Sequence, residues 1–154
     1  MKAFSNLLEQ LYYTSGNKAK AQLIADYIAN TPDPDRGWAI AAMAGTLRFD
    51  FFKRNTVKKL ITEHTDSALF AMSYDYVGEV SETVAHLWPY SEPTDNLPSL
   101  TEVVEIFASV SKQKVSETLA NYLTIMTPAQ RWALLKLGTR GLRIGVSARS
   151  IKQI

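Results

Sequence analysis

The run Gly138–Ser147 holds the residue types in this 154-residue chain that are best suited to binding phosphate. Its sequence, Gly-Thr-Arg-Gly-Leu-Arg-Ile-Gly-Val-Ser, places three glycines and two arginines within ten residues. Glycine has no Cβ, so a phosphate can closely approach the backbone N–H groups at Gly141 and Gly145. Arg143 adds a forked donor for phosphate oxygens, and Ser147 can open a helix whose first amides also attract anions. The run therefore predicts a phosphate-binding loop.

The same run also fits a purely structural link between two helices. In that alternative the glycines end one helix and Ser147 caps the next. The alternating apolar residues Leu142, Ile144 and Val146 would then pack into the core. The two interpretations are compatible, because a loop anchored by packing presents its amides to an anion in a fixed arrangement.

Charge is distributed unevenly along the chain, although the net charge is only +2. No Lys or Arg occurs between Lys59 and Lys112, and this interval holds nine acidic residues. Basic residues instead form four clusters. The first three are Lys18 with Lys20, the segment from Arg48 to Lys59, which includes Lys53 and Arg54, and Lys112 with Lys114. The fourth is a C-terminal tail without acidic residues, which contains Arg131, Lys136, Arg140, Arg143, Arg149 and Lys152. Such segregation predicts a surface that attracts a polyanion. The alternative is that charges simply fall in blocks on solvated helices.

One basic cluster is interleaved with aromatic residues, in the segment Arg48-Phe-Asp-Phe-Phe-Lys-Arg54. Aromatic rings beside cations are typical of surfaces that face nucleic acid, and they also occur on surfaces that face a protein partner. A helix end that packs its three phenylalanines inward is an equally open interpretation.

The sequence contains no constellation of residues for catalysis. Cysteine is absent, which excludes a disulfide framework, a thiol nucleophile and a zinc site built on Cys. His64 and His86 stand apart from any partner at metal-ligand spacing, and His86 is expected at a helix end. Glu79 and Glu82 lie three residues apart, and a structural or capping role is expected for them. We predict that this chain has no catalytic residue, no metal site and no cofactor of its own.

Helical periodicity dominates the sequence and predicts the fold class. Apolar residues recur at helical spacing from Phe4 to Tyr12 and in most later segments, and no stretch alternates with period two. Capping boxes at Ser99–Glu102 and Thr127–Gln130 mark two helix starts, the second with Pro128 in its first position. The longest predicted loop is Trp88–Pro98, which contains three prolines. We predict one compact all-α domain over residues 1–154, with about eight to ten helices.

The remaining composition is that of a globular protein. Hydrophobic residues make up 46% of the chain and charged residues 21%, which are ordinary values for a soluble domain. No apolar run approaches the roughly 18 residues that a membrane span needs, and the N-terminus lacks a signal-peptide pattern. We therefore expect a cytoplasmic protein without membrane contact, with Trp38, Trp88 and Trp132 in or near its core.

Four segments resemble a known family in their order and spacing. The segment Leu134-Leu-Lys-Leu-Gly-Thr-Arg-Gly-Leu-Arg-Ile-Gly-Val-Ser147 is similar to the end of the N-terminal DNA-binding domain of ATP-dependent DNA ligases, and bacterial members look most similar. The stretches from Phe4 to Lys18, Gly37-Trp-Ala-Ile-Ala-Ala-Met-Ala-Gly45 and Tyr76-Val-Gly-Glu-Val-Ser-Glu-Thr-Val84 resemble earlier parts of that domain. Two residues depart from the family pattern. Gly138 replaces an apolar residue and is expected to loosen the helix end, and Arg140 replaces a glycine and adds charge.

The resemblance implies a function in DNA repair, replication and recombination. In the family this domain grips nicked duplex DNA across the minor groove, mostly through phosphates, and the adenylation and OB-fold domains that follow carry the ATP- and Mg-dependent chemistry. Carried onto this chain, the phosphate-binding loop contains Gly141, Arg143, Gly145 and Ser147, and a neighbouring helix start contains Lys18 and Lys20. With the charge clusters, the predicted DNA-binding residues are Lys18, Lys20, Arg48, Lys53, Arg54, Arg140, Gly141, Arg143, Gly145, Ser147 and Arg149.

The motif Lys-x-Asp-Gly, whose lysine receives AMP in these ligases, does not occur in the sequence. The chain alone is therefore expected to be inactive. It is interpreted as a monomeric domain that belongs to a larger ligase. The rival hypothesis is a stand-alone helical protein-interaction module that uses the acidic interval and the Phe49 to Phe52 cluster. A small hydrolase has no residues to support it.

Overall fold

The structure of the protein is a computed structural model that describes residues 1–44, 52–64, 80–94 and 96–138. These residues form eight helices and no strand. In chain order the helices are α1 (Lys2–Tyr12), α2 (Asn17–Asn30), α3 (Asp35–Ala44), α4 (Arg54–His64), α5 (Val80–Leu87), α6 (Leu100–Ser109), α7 (Val115–Ile125) and α8 (Pro128–Gly138). The predicted all-α class is confirmed. The helices expected from Leu69 to Val77 and after Ser147 lie outside the described residues.

The helices share one hydrophobic core, as expected for a single compact domain. Helix α1 buries Phe4, Leu7, Leu8 and Leu11 of its predicted apolar stripe. Buried side chains from all eight of the described helices join the same core cluster. Helix α8 lies deepest, because its residues 133–138 are all buried. A helix enclosed on all sides needs neighbours around it. Helices α1 and α5 pack directly against α8.

Both predicted capping sequences lie at helix starts: Ser99 caps α6 through its own side chain, and Thr127 and Gln130 form the full capping box. The Ser99 hydroxyl accepts a hydrogen bond from the Glu102 backbone N–H at 3.1 Å. The second box is reciprocal, since the Thr127 backbone N–H donates to Gln130 Oε1 at 3.0 Å and the Gln130 backbone N–H donates to Thr127 Oγ1 at 3.3 Å. These bonds satisfy amides that have no partner within the helix. They also fix where the central helix α8 begins.

The tryptophans lie in or against the core, as predicted. Trp88 is buried, and its indole Nε1–H donates to Thr124 Oγ1 at 3.2 Å. Trp38 and Trp132 are partly buried and pack against the core cluster. Trp88 also begins the predicted loop, whose described residues up to Ser99 contain no helix.

Gly138 allows a close approach between the end of α8 and the segment before α4. A Cβ built on Gly138 would lie 2.7 and 2.8 Å from Cε1 and Cε2 of Phe52. The Phe52 ring is buried and also packs edge-on against Phe107, with ring centroids 5.5 Å apart. The structure therefore gives Gly138 a packing role that the sequence did not indicate.

We expect Gly138→Ala to lower the free energy of unfolding by about 1–3 kcal/mol, because the new methyl group would overpack against Phe52. Gly37 provides a matched control. It also lies within a helix, but a Cβ there would meet only Asp33 Oδ1 at 3.8 Å. Gly37→Ala should therefore stabilise the protein by up to about 1 kcal/mol. Denaturant unfolding of both variants checks this, and equal effects of the two substitutions would contradict the packing role of Gly138.

Candidate nucleic-acid interface

The basic start of α4 lies beside the end of α8. The Phe52 backbone N–H donates to the Gly138 carbonyl oxygen at 3.5 Å, and the Phe52 ring packs over Gly138. Lys53 follows directly and is exposed, and Arg54 begins α4. The first turn of α4 contains no acidic residue. The structure thus places the predicted pair Lys53 and Arg54 next to the residue at which the predicted phosphate-binding run begins.

Lys18 and Lys20 occupy the first turn of α2. This helix begins after Gly16, which supplies no side-chain cap, and its first turn contains no acidic residue. Lys18 is exposed and Lys20 partly exposed. Unpaired amides and the helix dipole give a helix N-terminus a positive potential, which the two ammonium groups increase. This end of α2 is therefore suited to contact with an anion.

The two lysine-bearing helix starts lie toward opposite ends of α8. Phe4 packs against Tyr27 with ring centroids 6.3 Å apart, so α2 runs back along α1 and begins near the end of α1. Tyr12 at that end packs against Trp132, near the start of α8, with centroids 4.5 Å apart. Helix α8 is 11 residues long, and a helix of that length spans about 16 Å. Lys18 and Lys20 thus lie near the start of α8, whereas Lys53 lies beside its end.

Within the part of the chain that the structure describes, none of these three lysines is paired with an acidic residue. An exposed ammonium group without a carboxylate partner keeps its full attraction for a phosphate. The other predicted site residues lie outside the described residues, namely Arg48, Arg140, Gly141, Arg143, Gly145, Ser147 and Arg149.

The expectation that Arg131 and Lys136 belong to a basic surface is wrong. Arg131 is 2% exposed and Lys136 is 8% exposed, because α8 is the central helix of the fold. A buried cation cannot meet a phosphate on the surface. The predicted polyanion-binding part of the tail therefore loses these two cations, and its remaining basic residues all follow Gly138 in the sequence.

Arg131 instead binds three carbonyl groups. Its Nε–H donates to the Leu123 oxygen at 2.7 Å, one Nη to the Ala85 oxygen at 3.2 Å and the other Nη to the Tyr90 oxygen at 2.9 Å. Burial lowers the pKa of the Arg131 guanidinium below its ordinary value. Ala85 and Leu123 lie in the last turns of α5 and α7, so the cation also meets the negative ends of two helix dipoles. Sequence reasoning missed this residue because its partners are distant along the chain.

Both histidines lie at helix ends in the described part of the chain. His86 lies in the last turn of α5 and is exposed, as expected for a helix-end residue. His64 is also exposed, and its Nδ1 lies 3.4 Å from the Tyr90 hydroxyl. Glu82 lies in the first turn of α5, and Glu79 is outside the described residues. No group of three potential metal ligands occurs among the residues that the structure describes.

The aromatic cluster proposed as a contact surface is only partly described. Phe52 is 4% exposed, so its ring belongs to the core and is not available to a partner or to a base. The interpretation of a phenylalanine packed inward is correct for Phe52. Phe49 and Phe51 lie outside the described residues.

Within the described helices, none is long and apolar enough to cross a membrane. Comparison with known proteins gives no family: no protein-family model matches the chain, and no curated protein matches it.

Proposed function

We propose that this chain is the sequence-independent duplex-binding domain of an ATP-dependent DNA ligase and that it holds nicked DNA through phosphate contacts. The adenylation and OB-fold domains of such a ligase would carry the ATP- and Mg-dependent chemistry. The domain itself would act as a cytoplasmic monomer in repair, replication or recombination and would not seal DNA alone. The proposal rests on the residues that resemble the ligase family and on the arrangement of charge.

The observation that carries the proposal is the contact between Phe52 and Gly138. It brings the basic start of α4 against the point where the Gly/Arg run leaves α8. The start of α4 and the residue at which the Gly/Arg run begins are thereby adjacent, although about eighty residues separate them in the sequence. Clustering of cations on one region is what a phosphate backbone requires.

The spacing of the two lysine-bearing helix starts also suits a duplex. The length of α8 separates them by about 16 Å along its axis. Phosphates on one strand of B-DNA advance 3.4 Å per base pair, so 16 Å corresponds to about five base pairs. On this basis the proposal assigns Lys18 and Lys53 to phosphates of the same DNA molecule.

The protein-interaction alternative loses part of its support. It relied on the Phe49 to Phe52 cluster, and Phe52 is buried in the core. The duplex-binding proposal uses residues that remain exposed, in particular Lys18 and Lys53.

The double variant Lys53→Ala/Arg54→Ala tests the proposal. We expect its affinity for a nicked duplex to fall by more than about tenfold at 0.1 M salt, since two fewer counterions are released on binding. The loss should be about equal for duplexes of different sequence, because phosphate contacts carry no base information. Fluorescence anisotropy with labelled nicked duplexes measures both quantities.

Lys112→Ala/Lys114→Ala is the matched control, because it removes the same charge at two exposed lysines outside the predicted site. We expect it to reduce affinity far less. An equal loss in the two double variants would show that net charge, and not the start of α4, determines binding. Unchanged affinity in Lys53→Ala/Arg54→Ala would remove this region from the interface.

A further inference from the structure

A cleft at the other end of α8 has chemistry opposite to that of a phosphate site. It has a volume of about 500 Å³ and lies between the end of α1, the helix α5 and the start of α8. Its polar lining consists of Glu9, Glu82 and His86, and its aromatic lining of Tyr12, Tyr13 and Trp132. No Lys or Arg occurs among the described residues that line it. The two carboxylates in its lining repel a phosphate, so the cleft itself is not a phosphate site, although Lys18 and Lys20 lie toward the same end of α8.

The aromatic side chains of the cleft are unusually accessible. Tyr13 is 87% exposed and Tyr12 is 40% exposed. They are two of the four large hydrophobic residues that stand exposed in the described part of the chain, the others being Tyr90 and Ile106. Exposed aromatic residues that gather beside a concave surface mark binding sites rather than ordinary surface. Tyr12 and Trp132 also fix one another, with rings nearly perpendicular at 89°.

Carboxylates and aromatic rings together recognise an organic cation. The faces of Trp and Tyr rings attract ammonium and guanidinium groups, and a carboxylate forms charge-assisted hydrogen bonds with either group. Pro128, Ala129 and Ala85 add apolar surface to the same cleft, against which the methylene groups of Lys or Arg can pack. Each of these contacts is weak at an exposed site. A free small cation would therefore bind poorly, whereas a peptide adds contacts along the cleft.

We propose that this cleft binds a Lys- or Arg-bearing peptide segment of a partner protein. The cation lies between Glu9 and Glu82 and against the rings of Tyr12 and Trp132. The site is separate from the proposed DNA contacts at Lys53 and Arg54, so removing those two cations tests DNA binding without altering the cleft. Binding of the peptide is expected without DNA.

The test is a titration of the whole chain with the blocked peptide acetyl-Gly-Arg-Gly-Lys-Gly-amide at 0.15 M salt, followed by NMR. We expect saturable shifts of the Tyr13 backbone amide and the Trp132 indole N–H. The double variant Glu9→Gln/Glu82→Gln should weaken binding about tenfold, since both charge contacts are lost. Glu105→Gln/Glu117→Gln is the matched control, because it neutralises two exposed carboxylates on other helices, and it should leave binding unchanged.

Three results would overturn the proposal. The first is equal binding of a peptide in which Gln replaces Arg and Lys. The second is an equal loss in the two Glu→Gln double variants, which would indicate only general attraction to an acidic protein. The third is binding of agmatine as tight as that of the peptide, which would assign the cleft to small cations. Lys53→Ala/Arg54→Ala should bind the peptide normally whether or not it still binds DNA.

Discussion

Arg131→Met is expected to lower the free energy of unfolding by about 3–5 kcal/mol, the usual effect of removing one partner from a buried charged network. Methionine fills much of the same space, so the loss reports hydrogen bonds rather than a cavity. In a domain of this size the melting temperature should fall by roughly 10 °C or more. Thermal and denaturant unfolding followed by circular dichroism measure the change.

The size of this effect follows because two of the three carbonyl oxygens do not receive the usual helical hydrogen bond from the residue four positions later. The Ala85 oxygen would normally accept from the residue four positions later, but that residue is Pro89, which has no N–H. The Leu123 oxygen would accept from the Thr127 N–H, which instead donates to Gln130. Arg131 supplies the missing donors to both oxygens. Without it, the Ala85 oxygen loses the donor that Pro89 cannot supply, whereas the Leu123 oxygen keeps only a long hydrogen bond from the Met126 N–H at 3.4 Å.

Arg131→Lys separates the effect of the positive charge from that of the three hydrogen bonds. Lysine keeps the positive charge near the two helix ends, but its single ammonium group cannot reach three carbonyls as the planar guanidinium does. An intermediate loss of stability is expected. A change below about 1 kcal/mol in Arg131→Met, the range of ordinary surface substitutions, would contradict the role assigned to Arg131.

The second large effect is the salt dependence of DNA binding. The predicted site contains eight cations, namely Lys18, Lys20, Arg48, Lys53, Arg54, Arg140, Arg143 and Arg149. If each neutralises one phosphate, the slope of log K against log salt is about −7. Raising the salt from about 50 to 200 mM should then weaken binding by roughly ten-thousandfold. This change is far larger than that expected from any single substitution in the site.

The sequence predicts most of the helical framework because its signals are local. The box Thr127–Gln130 specifies the start of α8, and the capping Ser99 specifies the start of α6, through side chains within one helical turn. Apolar periodicity identifies the buried face of α1 for the same reason. Tyr12 is the exception in that stripe, since its helix ends at the open cleft beside Trp132.

Features that depend on tertiary contacts could not be read from the sequence. Charge counting placed Arg131 on the surface, because nothing near it in the chain shows that it reaches Ala85 and Tyr90. Pro89 does indicate that the Ala85 carbonyl lacks a backbone donor, because proline has no N–H. It does not indicate which side chain donates to that carbonyl instead. The contact between Phe52 and Gly138 likewise joins segments that are distant in sequence.

The most direct test of the central claim compares salt slopes for a nicked duplex between the wild-type chain and Arg140→Ala/Arg143→Ala/Arg149→Ala. The account predicts a wild-type slope near −7 that shifts to about −4.5 in the variant, because three fewer counterions are released. Binding should be equally strong on duplexes of unrelated sequence. A wild-type affinity that does not change with salt, or a slope that the three substitutions leave unchanged, would contradict phosphate binding by this domain.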